Sequence, residues 1–148
     1  MGCNGGWTGS GFDYIGKIGL TTGAQYPYLG AGSTCREASV AKNFYVKSIG
    51  SYVGTSGLSN ALIYLAKGPV SVILDATLWG SYKTGIMSCN AVVKYNHAVM
   101  LVGIQSDGVY IVRNSWGTSW GESGYIRISA TSTKNCGILT YLLTPQLL

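Results

Sequence analysis

The sequence has little charge. Asp, Glu, Lys and Arg make up 10% of its 148 residues, against 47% hydrophobic, which excludes the charge-rich, weakly apolar profile of a disordered segment. The net charge of +5 comes from ten Lys and Arg. They lie singly between Lys17 and Lys134, never adjacent, so no basic stripe or RNA-reading motif supports a nucleic-acid partner. Apolar runs are short. AVMLVGI, residues 98–104, falls well below the length of a membrane span, and no signal-peptide pattern follows Met1. Histidine occurs once. The four cysteines, Cys3, Cys35, Cys89 and Cys136, form no C-x-x-C pair, and with a single histidine this argues against a structural zinc site. No metal or cofactor is expected. Internal repeats and a clear linker are also lacking.

What the sequence has in quantity is glycine, 22 residues, and tyrosine, 11, the mark of a folded, loop-rich, β-heavy chain. Its length suffices for one domain with a real core, or for most of a two-lobed one. Phe12, Ile15 and Ile18 recur at helical spacing, with Gly19 where a stop belongs, so a short helix is expected over Trp7–Ile18. QYPYLGAGSTCRE then reads as an extended connection, and YVKSIGSYV as a strand. A second helix is expected, capped by Ser56 or Ser59, with Leu62, Ile63, Leu65 and Ala66 on its apolar face and Gly68-Pro69 closing it. VSVIL, HAVMLVGI, VYIVRN and YIRIS follow as strands. The last two form a hairpin candidate, with Tyr110, Val112 and Asn114 on one face and Val109, Ile111 and Arg113 on the other. The second half thus reads as an antiparallel sheet or barrel, with a change of regime near residues 37–43.

The chemistry centres on His97. A lone histidine is more often structural than catalytic, so it needs a partner. Asn114 is the candidate, because the turn Ser106-Asp107-Gly108 joins two antiparallel strands and brings His97 and Asn114 to neighbouring strand ends. An asparagine carbonyl that accepts the imidazole N–H fixes one tautomer and leaves the other nitrogen facing outward, as a base must be held. Trp116 and Trp120 follow at once. Beside that hydrogen bond they would exclude water and strengthen it; the plainer alternative is that both are core.

NHAVMLVGI followed by NSWGTSWGESGYIRI resembles the histidine and asparagine regions of the papain-like, cathepsin-type cysteine proteases. GCNGGW, YPYLGAGSTC, GPVSVILDA, SYKTGI and NCGI each resemble a family segment in the same order, so the likeness runs from Gly2 to about Tyr141. It implies an α+β, papain-like two-lobed fold, with residues 1–40 the C-terminal part of the helical left lobe and residues 41–148 the antiparallel β-barrel right lobe. By the same resemblance His97 is the general base and imidazolium partner, Asn114 its orienting residue, and Trp116, with Trp120 in support, the shield over their bond. The implied reaction is proteolysis by a thiolate–imidazolium pair, which needs a cysteine whose pKa an adjacent histidine lowers.

That cysteine is what the sequence lacks. The family's C-G-S-C-W-like stretch stands about 130 residues before the histidine, roughly 40 residues ahead of Met1. No cysteine here is followed by Trp or Tyr, and the family's oxyanion glutamine is missing too. The expectation is an N-terminally truncated family member. The residues alone leave three ways to pair four cysteines. The resemblance pairs Cys89 with Cys136, a closure that contributes ~4 kcal/mol, and gives Cys3 and Cys35 partners upstream that are missing.

Substrate contacts follow from the resemblance residue by residue. Gly5 and Gly6 pair with substrate backbone. Trp7 forms one wall of the pocket for the side chain two positions before the scissile bond, Ala98 its base and Tyr141 its far end. Tyr141 departs from the small or acidic residue usual there, which implies a shortened pocket for medium apolar side chains. Asn96 stands where some members have aspartate. The implied activity is that of an endopeptidase, lysosomal or secreted, acting on peptide or protein substrates, with an upstream chain or partner completing the left lobe and no nucleic-acid or membrane partner. The isolated chain is expected to be inactive and aggregation-prone. The alternative is a catalytically inactive papain-like binding or structural module; retention of His97, Asn114 and the tryptophans favours the enzyme.

Overall fold

The computed structural model of the chain describes residues 4–47, 52–90 and 93–146. Two compact units emerge, Met1–Val53 with Pro145–Leu148, and Gly54–Thr144.

In the first unit the expected helix forms as α1, Thr8–Ile18. It ends at Gly19, whose φ of 86° and whose crowding, with a Cβ landing 2.6 Å from the Tyr45 ring, leave room for glycine alone. Past that stop the chain forms a two-way bridge between Leu20 and Phe44, with N–H···O distances of 2.7 and 3.0 Å. The connection predicted over residues 25–37 is irregular, apart from a 3-10 turn at Glu37–Ser39. Lys42 Nζ lies 3.0 Å from Glu37 Oε1 and also donates to the Val40 carbonyl. Tyr14, Leu20, Phe44 and Tyr45 remain exposed. Cys3 lies outside the described residues.

The strands are β1 (Tyr52–Thr55), β2 (Val70–Leu74), β3 (Ile86–Met87), β4 (His97–Ile104), β5 (Tyr110–Arg113), β6 (Tyr125–Ile128) and β7 (Tyr141–Pro145). Among the described residues they form one sheet in the order β1-β7-β2-β4-β5-β6-β3. The strands expected at VSVIL, HAVMLVGI, VYIVRN and YIRIS all appear, and β5 pairs antiparallel with β6. Of the YVKSIGSYV strand only Tyr52 and Val53 belong to β1, residues 48–51 lying outside the described set. Two strands were not anticipated. β3 has two residues and pairs parallel to β6, and β7 pairs antiparallel with β2. Both depend on partners distant in sequence, which local pattern does not register.

The core lies against the β2–β4–β5–β6 stretch. Val70, Val72 and Leu74 alternate as fully buried residues along β2 and share their face of the sheet with Leu101, Val112, Ile126, Ile128 and Leu142. The disulfide between Cys89 and Cys136, 47 residues apart, ties the loop after β3 to the segment before β7.

The second helix, α2, spans Leu58–Leu65 and corrects two expectations. Its N-cap is Gly57, with no side-chain cap, so neither Ser56 nor Ser59 fills that place; instead Asn60 Nδ2 donates to the Thr55 hydroxyl and the Ser56 carbonyl, each at 2.8 Å. Its inward face is Ala61, Tyr64 and Leu65, while Leu62 and Ile63 are 51% and 55% exposed. Leu65 alone of the four expected apolar contacts packs on the core. An eight-residue helix carries too few apolar positions for its own pattern to set its rotation, and packing against the sheet sets it instead.

An ion pair anchors the loop before β6. Arg127 donates through Nε to Glu122 Oε2 at 2.9 Å and through Nη2 to Oε1 at 2.7 Å, and Oε1 also accepts from the Thr84 hydroxyl and the Gly85 N–H. The Arg127 hydrogen bonds dominate over the opposing effect of burial and hold the Glu122 carboxyl at about 2, down from 4.5. A depressed carboxyl stabilises the fold in full above its ordinary value and loses that contribution as pH falls through its folded one. Glu122→Gln should therefore lower stability by about 1–2 kcal/mol near neutrality, a value discounted for the pair's partial exposure. The difference from wild type should vanish toward about pH 2. Urea midpoints measured near neutrality and in acid check this; a gap that persists in acid rejects it.

Candidate active site

His97 is the first residue of β4 and pairs across to Leu74, the last residue of β2. Alternation along β4 puts His97, Val99 and Leu101 toward the core and Ala98 and Met100 on the opposite face. Asn114 directly follows β5, and its N–H donates to the Gly124 carbonyl at 2.9 Å, prolonging the β5–β6 pairing by one step. The two strand ends bring His97 Nε2 within 2.8 Å of Asn114 Oδ1, the pairing that the short turn predicted.

The proton's place on the ring follows from a third group. Asn114 Oδ1 also accepts the Ser115 backbone N–H at 2.8 Å. A backbone N–H only donates, so the Asn114 atom facing both groups is its carbonyl oxygen, and His97 Nε2 must be the donor. The neutral imidazole therefore carries its proton on Nε2 and keeps a lone pair on Nδ1. The Asn114 amide nitrogen is buried without a partner among the described residues.

Aromatic rings gather beside the imidazole, with one member more than the sequence indicated. Trp116 lies beside the imidazole, ring centres 5.1 Å apart, and is itself 42% exposed. It is therefore not a core residue. Trp120 is buried, as the core alternative held for it, and meets Trp116 edge-on at 5.2 Å. The ring that links them is Trp79, which sequence reasoning missed. Fully buried, it stands edge-on to His97 at 5.9 Å and stacks on Trp120 at 5.9 Å. Its carbonyl accepts the Trp120 Nε1–H at 3.1 Å. Trp79 begins a 3-10 turn after β2, where no periodicity flags a buried residue; a tryptophan in a short connection between strands was the one available signal. Beyond Trp120 the chain turns at Gly121, with φ 57° and a Cβ position only 2.6 Å from the Tyr125 carbonyl oxygen, so a side chain there would push the tryptophan loop away from β6.

The other singled-out residues are placed as follows. Ala98 pairs with Ile73, and Ile73 pairs with Tyr141, so the three form one row across β4, β2 and β7. Tyr141, 40% exposed, meets the Tyr95 ring edge-on at 4.9 Å, and the Tyr95 hydroxyl donates to Thr140 Oγ1 at 2.8 Å. In the other unit Gly5, Gly6 and Trp7 are exposed and lead into α1. Cys89 and Cys136 are bonded to each other, and Cys35 is an exposed free thiol. Among the described residues no cluster of His, Cys, Asp and Glu is arranged to hold a metal ion, and no helix is long and apolar enough to cross a membrane. Chemically, this is a base with one fixed nitrogen and one available nitrogen, walled by aromatic rings.

Comparison with known proteins places the chain in a family. The family described as "Papain family cysteine protease" matches residues 1–146. Cathepsin L 2 of Paramecium tetraurelia is 39% identical over 137 residues, covering 93% of this chain and 42% of that protein. Macrodontain-1 of Ananas macrodontes is 33% identical over 97% of this chain and 68% of its own length. Among solved structures, the bromelain protease from Ananas comosus in complex with the E64 inhibitor superposes with a TM-score of 0.85 at 35% identity, over 100% of this chain and 73% of that one. The chain thus spans less than half the length of its cathepsin L relative. With the α+β fold, the His97–Asn114 hydrogen bond and this match over nearly the whole chain, the chain belongs to the papain family of cysteine proteases.

Proposed function

We propose that the whole protein is a cysteine-type endopeptidase and that these 148 residues supply its general base. The observation that carries this reading is the 2.8 Å bond from His97 Nε2 to Asn114 Oδ1, which leaves Nδ1 free to accept a thiol proton. The nucleophile is a cysteine outside these 148 residues. Its thiolate attacks the scissile carbonyl carbon; the His97 imidazolium gives its proton to the departing amine; an acyl-enzyme remains, and water, deprotonated by His97, hydrolyses it. Asn114 keeps the ring in the productive orientation throughout, while Trp116, supported by Trp120, keeps water off their bond.

In this reading residues 1–40 belong to a helical left lobe and residues 41–148 to a β-barrel right lobe. Another segment or partner completes the left lobe, and the exposed Cys35 thiol, like Cys3, pairs with it. The substrate is a peptide or protein, and the compartment is the lysosome or the cell exterior, where such bonds persist. Gly5 and Gly6 bind substrate backbone. At Gly6 a Cβ would meet nothing within 4 Å, so the backbone there is open to the close approach of a substrate strand. Trp7 is a further substrate contact. Ala98 forms the base of the specificity pocket and Tyr141 its end, narrowed by the Tyr95–Tyr141 pair.

The isolated chain should hydrolyse no peptide, and the full-length protein should lose activity by about 10³-fold or more in His97→Ala. Hydrolysis by the isolated chain that a thiol-directed epoxide blocks would assign the nucleophile to Cys3 or Cys35 and overturn the scheme. Full-length protein that folds but cleaves nothing would make it a binding module. Tyr141→Ala should open the pocket and raise kcat/KM for aromatic or arginine side chains two positions before the cut by roughly 10-fold or more, relative to medium apolar ones. A peptide library profile unchanged by the substitution removes Tyr141 from the pocket.

A further inference from the structure

We propose that Asp75 is a positioning residue for His97, holding the chain that leads into β4 so that the imidazole meets its reaction partner. This rests on the endopeptidase reading above.

Asp75 follows Leu74, the cross-strand partner of His97, and is 8% exposed. Both carboxylate oxygens are engaged. Oδ1 accepts the Thr77 N–H at 2.9 Å with a longer contact to Asn96 Nδ2 at 3.5 Å, and Oδ2 accepts the Lys94 N–H at 2.9 Å. Burial pushes the carboxyl up, but the hydrogen bonds from Thr77, Lys94 and Asn96 outweigh it and leave the group ionised below its ordinary range. Asn96 completes the clasp. Its Oδ1 accepts the Ala76 N–H at 2.9 Å, its Nδ2 donates to the Thr77 hydroxyl at 3.0 Å, and its own N–H donates to the Leu74 carbonyl at 3.1 Å.

Residues 93–96 have no strand pairing of their own. Their path into His97 is set by this carboxylate and by Asn96, while the Asp75 N–H is itself fixed to the Cys136 carbonyl at 2.9 Å, beside the disulfide. Only an ionised carboxylate satisfies the site, because donors converge on both oxygens. An amide at position 75 accepts on one side and turns its NH2 toward a donor on the other, so either the Lys94 or the Thr77 segment must let go. A small displacement of a catalytic group costs rate far more than affinity. Tyr95, in the same segment, has side-chain anchors of its own, its hydroxyl on Thr140 and its ring against Tyr141, and these tether the pocket end of the segment to β7 when the Asp75 clasp loosens.

In the full-length protein, Asp75→Asn should leave the Cys89–Cys136 bond and the circular dichroism spectrum intact. It should lower kcat about 10-fold or more while KM stays within about twofold. Nitrogen-15 NMR gives a readout that needs no activity. The His97 imidazole signals, assigned by their loss in His97→Gln, should broaden or shift in Asp75→Asn. A folded variant with unchanged kcat and unchanged His97 signals overturns the proposal, as does an equal loss in kcat and rise in KM. If Asp75→Asn does not fold, Asn96→Ala carries the test: it frees the Ala76 N–H and should lower kcat in the same way, and an unchanged kcat overturns the proposal. The two readings fail differently. Activity surviving in His97→Ala sinks the peptidase scheme, whereas activity lost in His97→Ala but retained in Asp75→Asn sinks the positioning role alone.

Discussion

The register of β4 between β2 and β5 is the constraint on which the site depends. Side chains alternate along a strand, so a one-residue slip would exchange the faces of His97 and Ala98, turning the imidazole away from Asn114 and driving Ala98 toward the core. What prevents the slip is burial. On β4 itself Leu101 has no exposed surface, and the slip would carry it, together with Val99, off the core face and away from its β2 neighbours Val70 and Val72. Burying one such side chain is worth about 1.5–3 kcal/mol, so a slipped register forfeits at least that much at Leu101. The irregularity between Leu101 and Gly103 in the β4–β5 pairing further pins where that pairing begins. The position of the base is thus a consequence of core packing.

The polar chemistry sits within an apolar surround and carries costs that the core offsets. Asn114 Nδ2 and Trp79 Nε1 are buried without partners among the described residues. In return, Trp79 joins His97, Trp116 and Trp120 into one aromatic assembly, and the low polarity it creates strengthens the bond between Nε2 and Oδ1. The Asp75 carboxylate works in the opposite sense. It is a buried charge made tolerable by complete hydrogen bonding, and it joins the lead-in of β4 to the neighbourhood of the disulfide.

How much was legible varied with how local the determining interaction is. The His97–Asn114 pair could be inferred because one short turn separates its strands and alternation does the rest. Helix α1 was legible from Phe12, Ile15, Ile18 and the stop at Gly19. Helix α2 was located correctly, but its cap and rotation were not, since Gly57 rather than a serine begins it and contact with the sheet selects Ala61, Tyr64 and Leu65. Strand β3 and strand β7 escaped notice because their pairing partners are remote in the sequence. The two tryptophans of the NSWGTSW run could not be told apart by spacing; only the packing makes Trp120 core and leaves Trp116 exposed beside His97.

By itself the sequence determined the family, the order of its segments, and the residue types from which a base, its orienting amide and a disulfide could be built. These are properties of composition and short-range pattern, which the linear chain carries explicitly. The tertiary structure decided which imidazole nitrogen is free, because the Ser115 N–H fixes the Asn114 amide. It also decided that Trp79 completes the aromatic wall and that Asp75 clasps the chain before His97. Each of those outcomes turns on a hydrogen-bond direction or a ring contact of a few ångströms, and such geometry exists only once distant segments have packed.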